Sequence, residues 1–134
     1  MLKISGIMRS NLLDKDFELL LRSPILENIV DNGFATELDI QQGLFSQKKL
    51  QLTTRFQDFK DCIEYLDHSD FQIRKTINRR WGTSDRLLKI IEQQIGRTIS
   101  QGALLVALDL RGVELERIDD RDDAFMNITD HSLL

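Results

Sequence analysis

TISQGALLVALDLRGVELERIDDRDDAFMNI, residues 98–128, carries the most one-sided pattern in the chain. Six consecutive apolar residues, Ala103 to Leu108, stand between Ser100, a helix-capping residue, and Gly112, a helix-ending one. A helix that is apolar most of the way round is stable only when covered on several sides, by a protein core or by lipid. A membrane span needs about 20 predominantly apolar residues. Helix 101–111 is therefore expected at the centre of a domain core. The runs 113–118 and 124–128 have strand-like content and are separated by Asp119-Asp-Arg-Asp-Asp123. Polar turn-formers between two such runs predict a C-terminal β-hairpin with an acidic tip.

The chain around this unit is an ordinary globular one. Its 134 residues are 41% hydrophobic and 30% charged, which fits one domain large enough to bury a core without staples. Aromatics make up only 7%, so Leu and Ile must supply most of the packing. A net charge of −4 gives no global attraction to nucleic acid or anionic lipid, and nucleic-acid binding would need a local basic patch. The single cysteine, Cys62, excludes an internal disulfide. With an N-terminal sequence that lacks a signal-peptide pattern, this leads to the expectation of a cytoplasmic protein with no membrane contact.

From the N-terminus, residues 1–11 are expected to form a short strand or a flexible arm. The spacing of Phe17, Leu20 and Leu21 predicts a helix from Asp14. Ser23-Pro24 predicts a second, short helix to about Asp31, ended by Asn32-Gly33. Residues 34–40 and 50–56 alternate apolar with polar, which predicts two antiparallel strands. Phe56, Phe59, Ile63 and Leu66 predict a helix over 57–66. Segment 71–81, FQIRKTINRRW, fits either period, and the capping residues Ser69 and Asp70 tip the reading to helix. Thr83-Ser84-Asp85 opens a helix with the stripe Leu87, Leu88, Ile91, Ile95 and a stop at Gly96. Residues 129–134 are read as a frayed tail. The fold class is α+β: a compact single domain over 1–134, with several helices around 101–111 and short antiparallel strands.

Helix 84–95, a short turn, helix 101–111 and a hairpin follow the order shared by winged helix-turn-helix domains. A winged-helix-like C-terminal half is therefore one expectation. The chemistry points away from DNA reading by this unit, because a recognition helix presents polar side chains to base edges and this one presents Ala103 to Leu108. A hairpin tip with Asp119, Asp120, Asp122 and Asp123 around Arg121 would also repel phosphate.

Two charged sets carry the functional expectations. Asp119, Asp120, Asp122 and Asp123, with Glu114 and Glu116, form an acidic surface suited to a protein partner. Arg74, Lys75, Arg79 and Arg80, with Trp81, Arg86 and Lys89, form a basic stretch that would pair with phosphate and stack on a base. The two sets are also complementary, so they can meet within one molecule, join two copies head to tail, or bind a basic or acidic partner separately. The leading expectation is a small regulatory or adaptor protein that binds another macromolecule, a protein, through charged surfaces. The alternative is a winged-helix-like nucleic-acid-binding regulator that uses 74–89. The weaker alternative is an enzyme that uses Cys62 or His68, although Cys62 on a helix beside Phe59 and Ile63 reads as a buried small hydrophobe. No spacing of His and Cys suits a metal, no phosphate loop or nucleophile motif is present, and no cofactor is expected. The sequence leaves the oligomeric state open.

Overall fold

The computed structural model describes residues 2–3 and 14–130. It is an α+β domain in which six helices and seven short strands are described. Its centre is the expected buried helix, α6 (Gln101–Leu110), in which every residue from Gln101 to Leu108 is buried. Ser100 caps it, with its hydroxyl accepting from the Ala103 N–H at 3.1 Å.

Two helices and a β-hairpin pack directly on α6. Along one side runs α4 (Phe56–Asp67), whose Phe59, Cys62, Ile63 and Leu66 are buried. Beside it lies α5 (Ser84–Ile95), capped by Thr83, buried through Leu87, Leu88 and Ile91, and ended by Gly96 in the left-handed region as its sequence predicts. α1 (Asp14–Leu21) lies on α4, where Phe17 stacks on Phe59 with ring centroids 4.8 Å apart. The N-terminus of α6 abuts a hairpin of β2 (Ile29–Val30) and β3 (Gly33–Phe34), paired Ile29 with Phe34 and Val30 with Gly33. The contact is backbone to backbone, with the Gly102 N–H donating to the Asp31 carbonyl at 3.1 Å. A Cβ at position 102 would collide with the Val30 carbonyl oxygen, so glycine is required there.

Several expectations are corrected. Pro24–Leu26 forms only a single 3-10 turn, and Asn32 lies in the turn of the β2–β3 hairpin while Gly33 opens β3, so neither ends a helix. The β-branched pair Ile29-Val30 finds a strand partner across two turn residues, an arrangement that competes well with a one-turn helix. The alternating stretches 34–40 and 50–56 are not paired strands. They yield α2 (Glu37–Gln41) and α3 (Phe45–Leu52). A capping box decides α2: the Thr36 hydroxyl accepts from the Asp39 N–H at 3.3 Å, and the Asp39 carboxylate accepts from the Thr36 N–H at 3.0 Å. Asp39 is buried and ion-paired with Lys48 of α3, which fixes the two helices together. As a result Leu38, Ile40 and Leu50 face solvent at 57%, 62% and 69% exposure.

Segment 71–81 is not a helix. β4 (Phe71–Ile73) is the central strand of an antiparallel sheet between β1 (Leu2–Lys3) and β7 (Ile128–Asp130). Partners on both edges supply backbone bonds that a surface helix would have to make alone. Leu2–Lys3 is thus a strand rather than a free arm. Thr129 and Asp130, assigned by sequence to a frayed tail, are paired with Gln72 and Phe71. The remaining residues of both terminal expectations, 4–11 and 131–134, lie outside the described residues.

The C-terminal hairpin forms as expected, with β5 (Leu115–Arg117) paired to β6 (Ala124–Met126). At Asn127 the chain leaves this hairpin for the other sheet. The buried Asn127 side chain holds both sides of the crossing, accepting from the Glu114 N–H at 2.7 Å and donating to the Arg74 carbonyl at 2.8 Å.

Candidate functional site

The hairpin between β5 and β6 brings the acidic set to one end of the molecule, where most of it serves the fold. Asp120 accepts from the Glu37 N–H at 2.7 Å and so adds an external cap to α2. Asp123 is 1% exposed and held by both arms of the Arg121 guanidinium at 2.8 and 2.6 Å. The Asp122 carbonyl accepts from the Phe34 N–H at 2.9 Å, so this turn is stitched to β3. Burial, then the neighbouring Asp123, pushes the Asp122 carboxyl above its usual range. Arg117 donates to the Ala35 carbonyl and lies over the Phe34 ring, 5.2 Å from its centroid. Glu116 is engaged by Arg79, and Glu114, Asp119 and Asp120 are the exposed acids of the set.

Most of the basic set, from Arg74 to Trp81, lies in the segment that links β4 to α5, while Arg86 and Lys89 lie on α5 itself. The course of the linking segment is fixed by four bonds to the Met126–Ile128 backbone and the Asn127 side chain. The Arg74 and Asn78 N–H groups donate to the Asn127 and Met126 carbonyls at 2.6 and 2.8 Å. The Asn78 amide donates to the Ile128 carbonyl at 2.9 Å, and the Asn127 amide returns to Arg74. From this frame Lys75 and Arg80 project into solvent, and no hydrogen-bond or ion-pair partner engages either side chain among the described residues. Arg79 grips Glu116 with two bonds of 2.9 and 2.7 Å, so the basic and acidic sets do meet within one molecule. Lys89 lies 4.0 Å from Asp85, one helical turn away.

Trp81 does not share the solvent-facing role of its neighbours. It is 4% exposed and packs edge to face on Phe71, with centroids 5.4 Å apart. Arg86 covers its ring at 4.6 Å and also donates to its carbonyl. The indole N–H has no partner among the described residues. A base has no open face of this ring to stack on.

Among the described residues, clefts lie elsewhere. One of about 340 Å³ opens over the start of α6, lined among others by Asp31, Arg55, Asp58, Ser100, Gln101 and Asp122. Its charges are largely compensated: Arg55 forks onto Asp31 at 2.8 and 3.1 Å, and Arg97 bridges Asp58 and Asp61. These carboxylates hold Arg97 firmly charged. The sequence gives no signal for this assembly, because its residues come from separate elements that only the tertiary fold brings together. Another cleft, about 290 Å³, lies beside His68, with Glu64, Tyr65 and Ile95. His68 ends α4 with its Nδ1 2.8 Å from the Glu64 carbonyl. Cys62 is fully buried, and burial pushes its thiol pKa far up, which disfavours the nucleophilic thiolate. Among the described residues, no group of three or more His, Cys, Asp and Glu is placed to hold a metal ion, and no helix is long and apolar enough to cross a membrane.

Compared with protein-family models, with curated proteins and with solved structures, the chain has no match.

Proposed function

We propose that this chain is a small binding protein, regulatory or adaptor in kind, that acts by holding another protein at a charged surface. One observation carries the reading. Three of the six acids, Glu116, Asp120 and Asp123, spend their carboxylates on internal contacts, whereas Lys75 and Arg80 stand exposed on a loop that four hydrogen bonds hold in place. Charge that is fixed in position and unspent within the fold sets the orientation and encounter rate of a partner. The binding surface is therefore the 74–80 loop rather than the acidic tip.

A second reading, nucleic-acid binding by the same segment, draws on six basic residues within 74–89 against one acid. The burial of Trp81 under Arg86 weighs against it, because sequence-tolerant binding of single strands relies on aromatic faces open to bases. The completely buried apolar stretch of α6 likewise supplies no groove-reading face.

The test is affinity capture from the source cell with and without nuclease, comparing the native chain with Lys75→Glu/Arg80→Glu. A protein captured in both conditions by the native chain and lost with the double variant supports the reading. Capture that persists with the double variant, or that disappears on nuclease treatment, rejects it.

A further inference from the structure

We propose that the partner is recognised through a run of carboxylates, an acidic peptide segment, and that Glu116 competes with that segment for Arg79. This rests on the protein-binding reading above and names its ligand. The molecule already displays the recognition in small: Arg79 holds the Glu116 carboxylate by both arms, at 2.9 and 2.7 Å. This is the fork geometry by which guanidinium groups select carboxylates. The pair is open to water, with side chains 62% and 37% exposed. Exposed pairs of this kind are weak and exchange readily with solvent and other ions. Glu116 is thus a displaceable occupant.

Lys75 and Arg80 stand on the same loop without such an occupant among the described residues. An incoming segment with several carboxylates would engage them first and then exchange with Glu116 at Arg79. The loop need not be ordered on binding, because Asn78 and Asn127 already fix its backbone, and pre-organised cations lose less freedom when a ligand arrives. A carboxylate run suits this surface better than a polynucleotide, since the loop presents charge without an accessible ring.

The experiment uses the full chain, a fluorescein-labelled octaglutamate peptide and a labelled single-stranded thymidine oligonucleotide, read by anisotropy across a salt titration. The peptide is expected to bind more tightly than the oligonucleotide, and binding should weaken as salt rises. Lys75→Glu/Arg80→Glu should lower peptide affinity by at least about tenfold, and Glu116→Gln should raise it by about threefold. The substituted side chains lie at the surface, and thermal melts of each variant confirm folding. No peptide binding, tighter oligonucleotide binding, or unchanged affinity in Glu116→Gln overturns the inference. If octaglutamate fails while capture of a cellular protein still depends on Lys75 and Arg80, the acidic-segment inference falls and the protein-binding reading stands. If both fail, both fall.

Discussion

Arg111 and Asp67 are the most demanding pair of residues in the molecule. They are 3% and 5% exposed and joined by two bonds of 2.8 and 2.9 Å, which tie the end of α6 to the end of α4. Removing one partner leaves an uncompensated buried charge, so Asp67→Ala should cost about 3–5 kcal/mol in urea unfolding. Asp67→Leu/Arg111→Met should recover much of that loss. Gly102→Ala tests the backbone contact at the other end of α6. With the Val30 carbonyl in the way, the added methyl should destabilise by about 1–3 kcal/mol. Asp39 and Asp122 predict opposite responses to pH. The bond from Lys48 holds the Asp39 carboxyl below its usual range. Its stabilisation is present above the unfolded carboxylate value and is lost as pH falls through the lowered folded value. Asp39→Asn should therefore reduce neutral stability and flatten the acid limb of the stability curve. Burial raises the Asp122 carboxyl, so its ionisation above that raised value opposes folding, and Asp122→Asn should raise the neutral melting temperature.

At the scale of elements, the most legible parts were those whose pattern was long. α4 and α5 follow from apolar stripes and α6 from an apolar run, each over three turns or so, with side-chain caps opening α5 and α6, and tertiary packing reinforces what the sequence already states. Stretches such as 34–40 and 50–56 mislead because a window of seven residues supports two periods at once. In 34–40 the alternation suggested a strand, yet Thr36 and Asp39 stand at capping-box spacing, and that local signal was the decisive one. Thr36→Ala should cost about 1 kcal/mol and loosen α2, which hydrogen exchange at Asp39 to Gln41 would report. In 71–81 no local signal could decide, because β4 is a strand by virtue of partners at residues 2–3 and 128–130. The hairpin was legible as an element, but the work of its acids was not. Nothing in Asp119-Asp-Arg-Asp-Asp123 announces that Asp120 will cap a helix 83 positions away or that Asp123 will be buried. Serine at Asp120 and Asp123 should lower stability, whereas asparagine at Asp119, whose φ of 40° lies in the left-handed region that Asp and Asn tolerate, should leave it unchanged.

Across the whole molecule, charge is segregated more sharply than the net value of −4 suggests. The basic residues of 74–89 gather beside a hairpin in which Glu116, Asp120 and Asp123 are engaged by the protein's own groups, and this arrangement makes the 74–80 loop the surface to test. The sequence showed the cations but not which of them remain unspent, since Arg79, Arg86 and Trp81 acquire their roles from Glu116 and Phe71 across the fold. The sheet that anchors this loop has a further implication for biosynthesis. β4 is flanked by β1 from residues 2–3 and by β7 from residues 128–130. A ribosome must therefore release nearly the entire described chain before the second edge of β4 can be zipped. Until then one side of that strand is bare, and the nascent domain passes through a stage in which chaperone capture or mispairing with another chain competes with the final closure.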